Sequence, residues 1–360
     1  TQYISNFHRI VVPAILNQLI KITLPVLIIL FLLGKIDSVM IMYGVVANYV
    51  VVLVLLLLYL RKIGQFYFRP RLDFLNKPLL KEMGTYAGYG ILGLIGTHLA
   101  LRIDTVMVGS LIGETSTGRY SIVLLIASII EIPTFAIMKI TAPIVSEAWK
   151  RKDLAKIESL YKKTSLNLLI FGTLLFLGIW TCLDNVFEIL PNGDQLTVAK
   201  NVVLFVGLAK LVDMLTSINN QVIGYSEYFR FNFYAILAMA VFNIVTNLIF
   251  IPIFQENGAA MATFSSLVLY NLLKFGYVKY RFGMVPFTKN TLGVLALGVV
   301  VYILTLFLPD TSSPFLDILI RGGFVTVAFG GGALFFHLSE DVNDLARQAL
   351  ARVSGFFNKH

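Results

Sequence analysis

The chain has 360 residues, 57% of them hydrophobic and only 14% charged, with a mean hydropathy of +0.81. Soluble domains carry roughly 25% charged residues, so a water-soluble globule is excluded and an integral membrane protein is implied. The formal charge of +9 would suit nucleic acid, but the layout of the basic residues gives it a membrane explanation.

Apolar runs long enough to cross a bilayer as helices predict an all-α polytopic membrane protein with about ten transmembrane helices. In chain order these fall near residues 10–33, 39–60, 84–112, 118–142, 164–183, 200–224, 231–253, 258–280, 291–308 and 317–337. The connections alternate in character. Residues 61–83, 143–163, 225–230, 281–290 and the tail after 338 lie on one side with the N-terminus. With Arg119, Lys200 and Lys279 assigned to the connections they adjoin, this side holds 20 of the 29 Lys and Arg; the opposite connections hold three and the spans hold six. The positive-inside bias therefore puts both termini in the cytoplasm, and basic loops facing an anionic leaflet explain the net charge without nucleic acid. Residues 147–163 read as an amphipathic surface helix, with Leu154, Ile157, Leu160 and Tyr161 at helical spacing.

The external connections are short, and the longest, 184–199, is too small for a catalytic domain. The sequence holds no hydrolase, metalloprotease, P-loop or dinucleotide fingerprint. Cys182 is the only cysteine, and His8, His98, His337 and His360 lack metal-ligand spacing. No enzyme activity, metal or cofactor is expected.

Two hairpins, 10–62 and 231–281, share an intramembrane Asn, a Gly turn and a basic end, with four spans between them. A six-helix unit that repeats in parallel orientation follows. With the start at Thr1 lacking a Met or a signal peptide, the repeat leads us to expect about four helices before this sequence.

Setting aside those at the very ends of spans, nine ionisable residues fall within them: Lys21, Arg102, Asp104, Glu131, Lys139, Lys210, Asp213, Lys274 and Arg321. A charge at membrane depth marks a functional site by default. Lys139, Lys274 and Arg321 lie near helix ends and are expected to snorkel. Lys210 and Asp213, three apart, share a helix face. Glu131 lies at the depth of Arg102 across a hairpin and is a candidate partner, with Asp104 competing for the same arginine. Lys21 has Asn17 on its face and no acid in its own helix. The surplus of basic groups favours an anionic ligand. The expected substrate contacts are Lys21, Arg102 and Lys210, with Asp104, Glu131 and Asp213 as supporting charges. Asn243 and Asn247 are expected to bond between helices. Gly84, Gly88, Gly90, Gly93 and Gly96 make the third span cheap to bend.

Residues 243–265, Asn-Ile-Val-Thr-Asn-Leu-Ile-Phe-Ile-Pro-Ile-Phe-Gln-Glu-Asn-Gly-Ala-Ala-Met-Ala-Thr-Phe-Ser, resemble the Asn-x-x-x-Asn…Ile-Pro…Gly-Ala-Ala-x-Ala-Thr hairpin of bacterial polysaccharide-precursor flippases. Residues 103–120, Ile-Asp-Thr-Val-Met-Val-Gly…Gly-Arg-Tyr, resemble the seventh-helix segment of that group, the Wzx-type oligosaccharide flippases of the multidrug/oligosaccharidyl-lipid/polysaccharide exporter superfamily. The resemblance covers about residues 1–290. It implies a MATE-like two-lobe architecture whose first lobe is incomplete here. Residues 1–62 would be the last two helices of the N-terminal lobe and 63–83 a cytoplasmic linker. Residues 84–281 would be the C-terminal lobe, 291–337 two extra helices and 338–360 a cytoplasmic tail.

The implied function is translocation of an undecaprenyl-pyrophosphate-linked oligosaccharide, such as an O-antigen unit, across the bacterial cytoplasmic membrane by alternating access. The alternatives are a cation-coupled multidrug exporter of the same superfamily and, ranked lower, a membrane-embedded glycan ligase or polymerase. Partners on this reading are the lipid-linked oligosaccharide and membrane lipids, with a coupling ion and glycan-assembly proteins as further candidates, and no nucleic acid.

Overall fold

The structure is a computed structural model. It describes residues 16, 23, 25–27, 29–31, 33–64, 76–100, 102–311 and 313–357, with backbone alone at 94, 95, 97–100 and 349–357. The chain divides into two compact units, residues 1–80 and 81–360.

In the first unit, helical residues up to Phe31 end in a turn at Gly34, whose φ of +68° suits a residue without Cβ. The turn is closed by Gly34 N donating to Phe31 O and Lys35 N donating to Leu30 O, the Schellman arrangement. Helix α1 (Ser38–Lys62) follows. Its Gly44 lies so close to Leu27 that a Cβ there would stand 2.8 Å from the leucine side chain. Most of the span expected at 10–33, and the linker around 65–75, lie outside the described residues.

The other helices, in order, are α2 (Lys77–Ala100), α3 (Ile103–Ile112), α4 (Glu114–Ser128), α5 (Ile132–Lys150), α6 (Leu154–Ile189), α7 (Lys200–Thr216) and α8 (Asn219–Gly224). They continue with α9 (Arg230–Phe282), α10 (Lys289–Thr305), α11 (Pro314–Val325), α12 (Gly331–Phe335) and α13 (Glu340–Phe357). No strand occurs among the described residues. Among the described residues five stretches are long and apolar enough to cross a membrane: Val39–Lys62, Glu114–Lys150, Leu154–Ile189, Arg230–Phe282 and Pro314–Phe335. The chain is an all-α polytopic membrane protein. Its large exposed apolar side chains, among them Leu292, Phe307 and Val327, suit a lipid surround.

Several expected spans are broken, each for a local reason. The run 84–112 divides into α2, which ends at Ala100, and α3, which begins at Ile103 with Arg102 as its N-cap. The run 118–142 passes through one 3₁₀ turn, Ile129–Glu131, ahead of Pro133, and resumes as α5. Helix α9 reverses at Gln255 (φ 54°, ψ −130°), so that Phe231 and Tyr277 stack with ring centroids 3.8 Å apart. Its two arms are the spans expected at 231–253 and 258–280. At the reversal a Cβ on Gly258 would meet the Phe250 carbonyl oxygen at 2.1 Å.

Residues 147–163 do not form the separate surface helix that their pattern predicts. They straddle α5 and α6 around a tight break at residues 151–153, where Lys152 has φ 57° and the Asp153 carboxylate caps the Lys156 amide. The apolar positions Ile157 and Tyr161 are buried against Val145, Ala148, Ile218 and Val278. Packing inside the protein has taken the face that sequence alone assigns to lipid.

Helices α6 and α7 approach closely through glycines: a Cβ on Gly172 would meet Met214 Sδ at 2.2 Å, and one on Gly207 would meet Phe176 at 2.6 Å. Helices α10 and α11 and the π-helical turn Thr326–Gly330 pack on α6 through Val294, Val301, Val325 and Phe329. Arg321 does not snorkel; it is held by Asp317 and Asp310, each at 2.6 Å. Lys139 is exposed.

Candidate functional site: two adjoining charged cavities

Two breaks at membrane depth position the site. Backbone freed from a helix within a membrane is tolerated only where protein or a wet cavity satisfies it. The first break holds Glu131 at the 3₁₀ turn between α4 and α5. The second separates α7 from α8 at Ser217, whose φ of 44° with ψ −114° is strained for a residue with Cβ.

Polar side chains from α6 and α9 surround this second break. Ser165 Oγ donates to Leu215 O at 2.6 Å, and Ser217 Oγ to Thr164 Oγ1 at 2.6 Å. Thr216 Oγ1 donates to Asn271 Oδ1 at 2.7 Å, while Asn271 Nδ2 donates to Asp213 Oδ1 at 3.1 Å.

A cavity of about 210 Å³ opens against these breaks, lined by Glu131, Lys210, Asp213, Ser217, Tyr270 and Lys274 among others. A second, of about 280 Å³, is lined by Arg102, Asp104, Thr105, Ser128 and Thr263. Glu131, Lys210 and Leu267 line both. The ion pair Lys210 Nζ–Glu131 Oε2, 2.5 Å long with both side chains mostly buried, therefore stands at the boundary of the two chambers.

The charges pair differently from the sequence expectation. Glu131 takes Lys210, leaving Arg102 in the same cavity without an ion pair among the described residues. Lys210 and Asp213 do not pair with each other, because Glu131 and Asn271 are the nearer partners. Asp104 is not an orienting partner of Arg102. Residues two apart on a helix point away from each other, and Asp104 accepts instead from the Thr105 amide (2.7 Å), Tyr120 Oη (2.6 Å) and Thr263 Oγ1 (3.1 Å). It is an anchor tying α3, α4 and α9 together.

Lys274 does not snorkel either. Its side chain is buried, its ammonium lies 4.1 Å from the Tyr270 ring centroid, and it lines the first cavity with no ion pair among the described residues. Asn243 and Asn247 bond to each other along one helix, Nδ2 of Asn247 to Oδ1 of Asn243 at 2.8 Å, rather than between helices. Lys21 lies outside the described residues.

Sequence reasoning missed three features. Lys274 looked close to a helix end, but α9 runs on to Phe282. The break at Ser217 had a legible signal, the polar run Thr-Ser-Ile-Asn-Asn-Gln at 216–221 within an apolar span. Glu256 read as part of a connection, yet it is fully buried and bound to Arg119 by contacts of 2.6 and 3.0 Å.

Residues 91–249 match the model of the MatE family. The match includes Arg102, Asp104, Glu131, Lys210 and Asp213 and ends before Thr263, Tyr270 and Lys274. The chain is also similar to the probable low-salt glycan biosynthesis flippase Agl15 of Haloferax volcanii, at 22% identity over 222 residues, which is 61% of this chain and 47% of that protein. The chain thus spans about half the length of this curated relative. The similarity on both counts is to transporters and flippases rather than to enzymes: a multi-pass, all-α membrane protein with a MatE-like segment.

Proposed function

We propose that this protein translocates an anionic lipid-linked saccharide across the cytoplasmic membrane by alternating access, with the charged headgroup held in the two adjoining cavities. The observation that carries the reading is that Arg102 and Lys274 line these chambers without ion pairs among the described residues, on either side of the Lys210–Glu131 pair. A phosphate or pyrophosphate with several acceptor oxygens would complement both. Binding would also draw Lys210 from Glu131, giving the headgroup a way to alter the junction of the chambers. Asp104, held by neutral donors, and Asp213, held by Asn271 in the chamber of Lys274, would set geometry rather than contact the anion. Lys21 is a further proposed contact.

The similarity to the probable glycan biosynthesis flippase of Haloferax also supports a glycan substrate. On this reading residues 84–281 form one lobe, 1–62 the end of a preceding one, 63–83 their cytoplasmic linker, 291–337 an added helix pair and 338–360 a cytoplasmic tail. An undecaprenyl-pyrophosphate carrier and bacterial surface polysaccharide such as O-antigen belong to the proposal.

One observation favours the second reading, a cation-coupled exporter of drugs: the chambers hold Asp104, Glu131 and Asp213 as well as Arg102, Lys210 and Lys274. The readings separate in cells carrying Arg102→Ala or Lys274→Ala in the chromosomal gene. The glycan reading expects lost surface glycan and accumulated lipid-linked precursor. Normal surface glycan with lost drug resistance would reverse the ranking.

A further inference from the structure

A third cavity, of about 200 Å³, lies among α2, α8 and the start of α9. Its walls are Tyr86 and Tyr89 from α2, Phe229 and Phe233 around the first turn of α9, and the amides of Asn220 and Asn232. The rings meet edge-to-face, with centroids 5.0 Å apart for Tyr86–Phe229, 6.0 Å for Tyr89–Phe229 and 5.6 Å for Tyr89–Phe233. Gly90 and Gly93 leave the α2 side bare backbone, and a Cβ on Gly90 would have no neighbour within 4 Å. Asn232 Nδ2 donates to the Asn220 carbonyl at 3.0 Å, but Asn232 Oδ1 is buried without a donor.

Among the described residues no carboxylate, ammonium or guanidinium lines this space, although the Arg230 guanidinium lies 5.6 Å from the Tyr89 ring centroid and 5.9 Å from that of Phe229. Inclined aromatic walls, two phenolic hydroxyls and an unfilled amide acceptor suit a ligand with apolar C–H faces and hydroxyls around its rim. A sugar ring has that form. A lipid chain would leave the buried Asn232 acceptor unmatched, and an aromatic cation would find no counter-charge.

Position supplies the second observation. Asn220 lines both this cavity and the one holding Lys210 and Lys274. A phosphate in the charged chamber would carry a directly bonded sugar toward the aromatic one. We infer that the aromatic cavity is a saccharide subsite for the ring attached to the anionic headgroup, an inference that rests on the headgroup reading above.

The test titrates the purified 360-residue chain in detergent, by calorimetry, with inorganic phosphate, glucose 1-phosphate, N-acetylglucosamine 1-phosphate, methyl glucoside and ethidium. At least one glycosyl phosphate is expected to bind about tenfold tighter than phosphate, the size of a hydrogen bond or a ring contact. Tyr89→Leu/Phe233→Leu should erase that advantage while leaving phosphate affinity unchanged, which also shows that the variant is folded. Asn232→Asp, close in shape, should weaken only the glycosyl phosphates.

Equal affinities for phosphate and both glycosyl phosphates would overturn the subsite and leave the headgroup reading standing. Methyl glucoside binding that depends on Tyr89 and Phe233, without phosphate binding, would uphold the subsite and overturn the headgroup reading. Binding of ethidium alone, sensitive to the same variants, would overturn the subsite, and no binding of any probe would overturn both.

Discussion

Glu256 shows how costly a charge is inside this protein and how it is made tolerable. Its carboxylate is fully buried, Arg119 satisfies one oxygen, and Oε2 has no donor among the described residues. Removing one partner of such a pair leaves an uncompensated buried charge, which costs about 3–5 kcal/mol, whereas replacing both with apolar groups is often close to neutral. Arg119→Leu should therefore lower the melting temperature in detergent sharply, and Arg119→Leu/Glu256→Leu should recover most of the loss. A double variant no more stable than the single one would contradict this.

That Arg102, Lys210 and Asp213 interrupt apolar runs was legible at residue level. Their partners were not. The Lys210–Glu131 pair joins residues 79 apart, and the Asp104–Thr263 bond residues 159 apart. Such choices are made by helix packing, which local spacing does not encode.

Among the elements, the informative ones are those that stop where a simple span would continue. The reversal at Gln255 was legible as two runs flanking Gly258, and it leaves no room for a side chain there. Gly258→Ala would force the Phe250 carbonyl to move, so its yield of folded protein should fall well below wild type by size-exclusion chromatography.

In α2, glycines serve contact as well as flexibility. A Cβ on Gly96 would lie 3.0 Å from Ile236 Cγ2, and overpacking of this kind costs typically about 1–3 kcal/mol. Gly96→Ala should thus lower thermal stability, and Gly96→Ala/Ile236→Val should restore part of it. If Gly96→Ala instead left stability intact and slowed transport, bending of α2 rather than packing would be its role. The surface helix read at 147–163 failed for the opposite reason: its periodicity was real, but Ile157 and Tyr161 found protein partners. Amphipathicity fixes that a face is buried and leaves open against what.

Across the whole molecule, composition alone was enough to establish a multi-pass α-helical membrane protein, and the described helices agree. The excess of intramembrane basic residues over acids, six to three in the sequence, becomes three to three around the two charged chambers. Arg321 is consumed by Asp317 and Asp310, Lys139 is exposed, and Lys21 is outside the described residues. The anionic-ligand reading consequently depends on how the cations are engaged rather than on how many there are. Arg102 makes no ion pair among the described residues, Lys274 shares its chamber with the Asp213 carboxylate, and Lys210 is already committed to Glu131.

This makes a graded expectation. Neutralising Glu131 as Glu131→Gln frees Lys210 and should tighten anion binding by about tenfold, a change of roughly 1.4 kcal/mol. The central claim is tested most directly by calorimetric titration of the purified chain with inorganic pyrophosphate, wild type beside Arg102→Ala/Lys274→Ala. Saturable binding that the double variant weakens at least tenfold is the predicted result. Failure of pyrophosphate to bind the wild type, or binding that the double variant leaves unchanged, would contradict it.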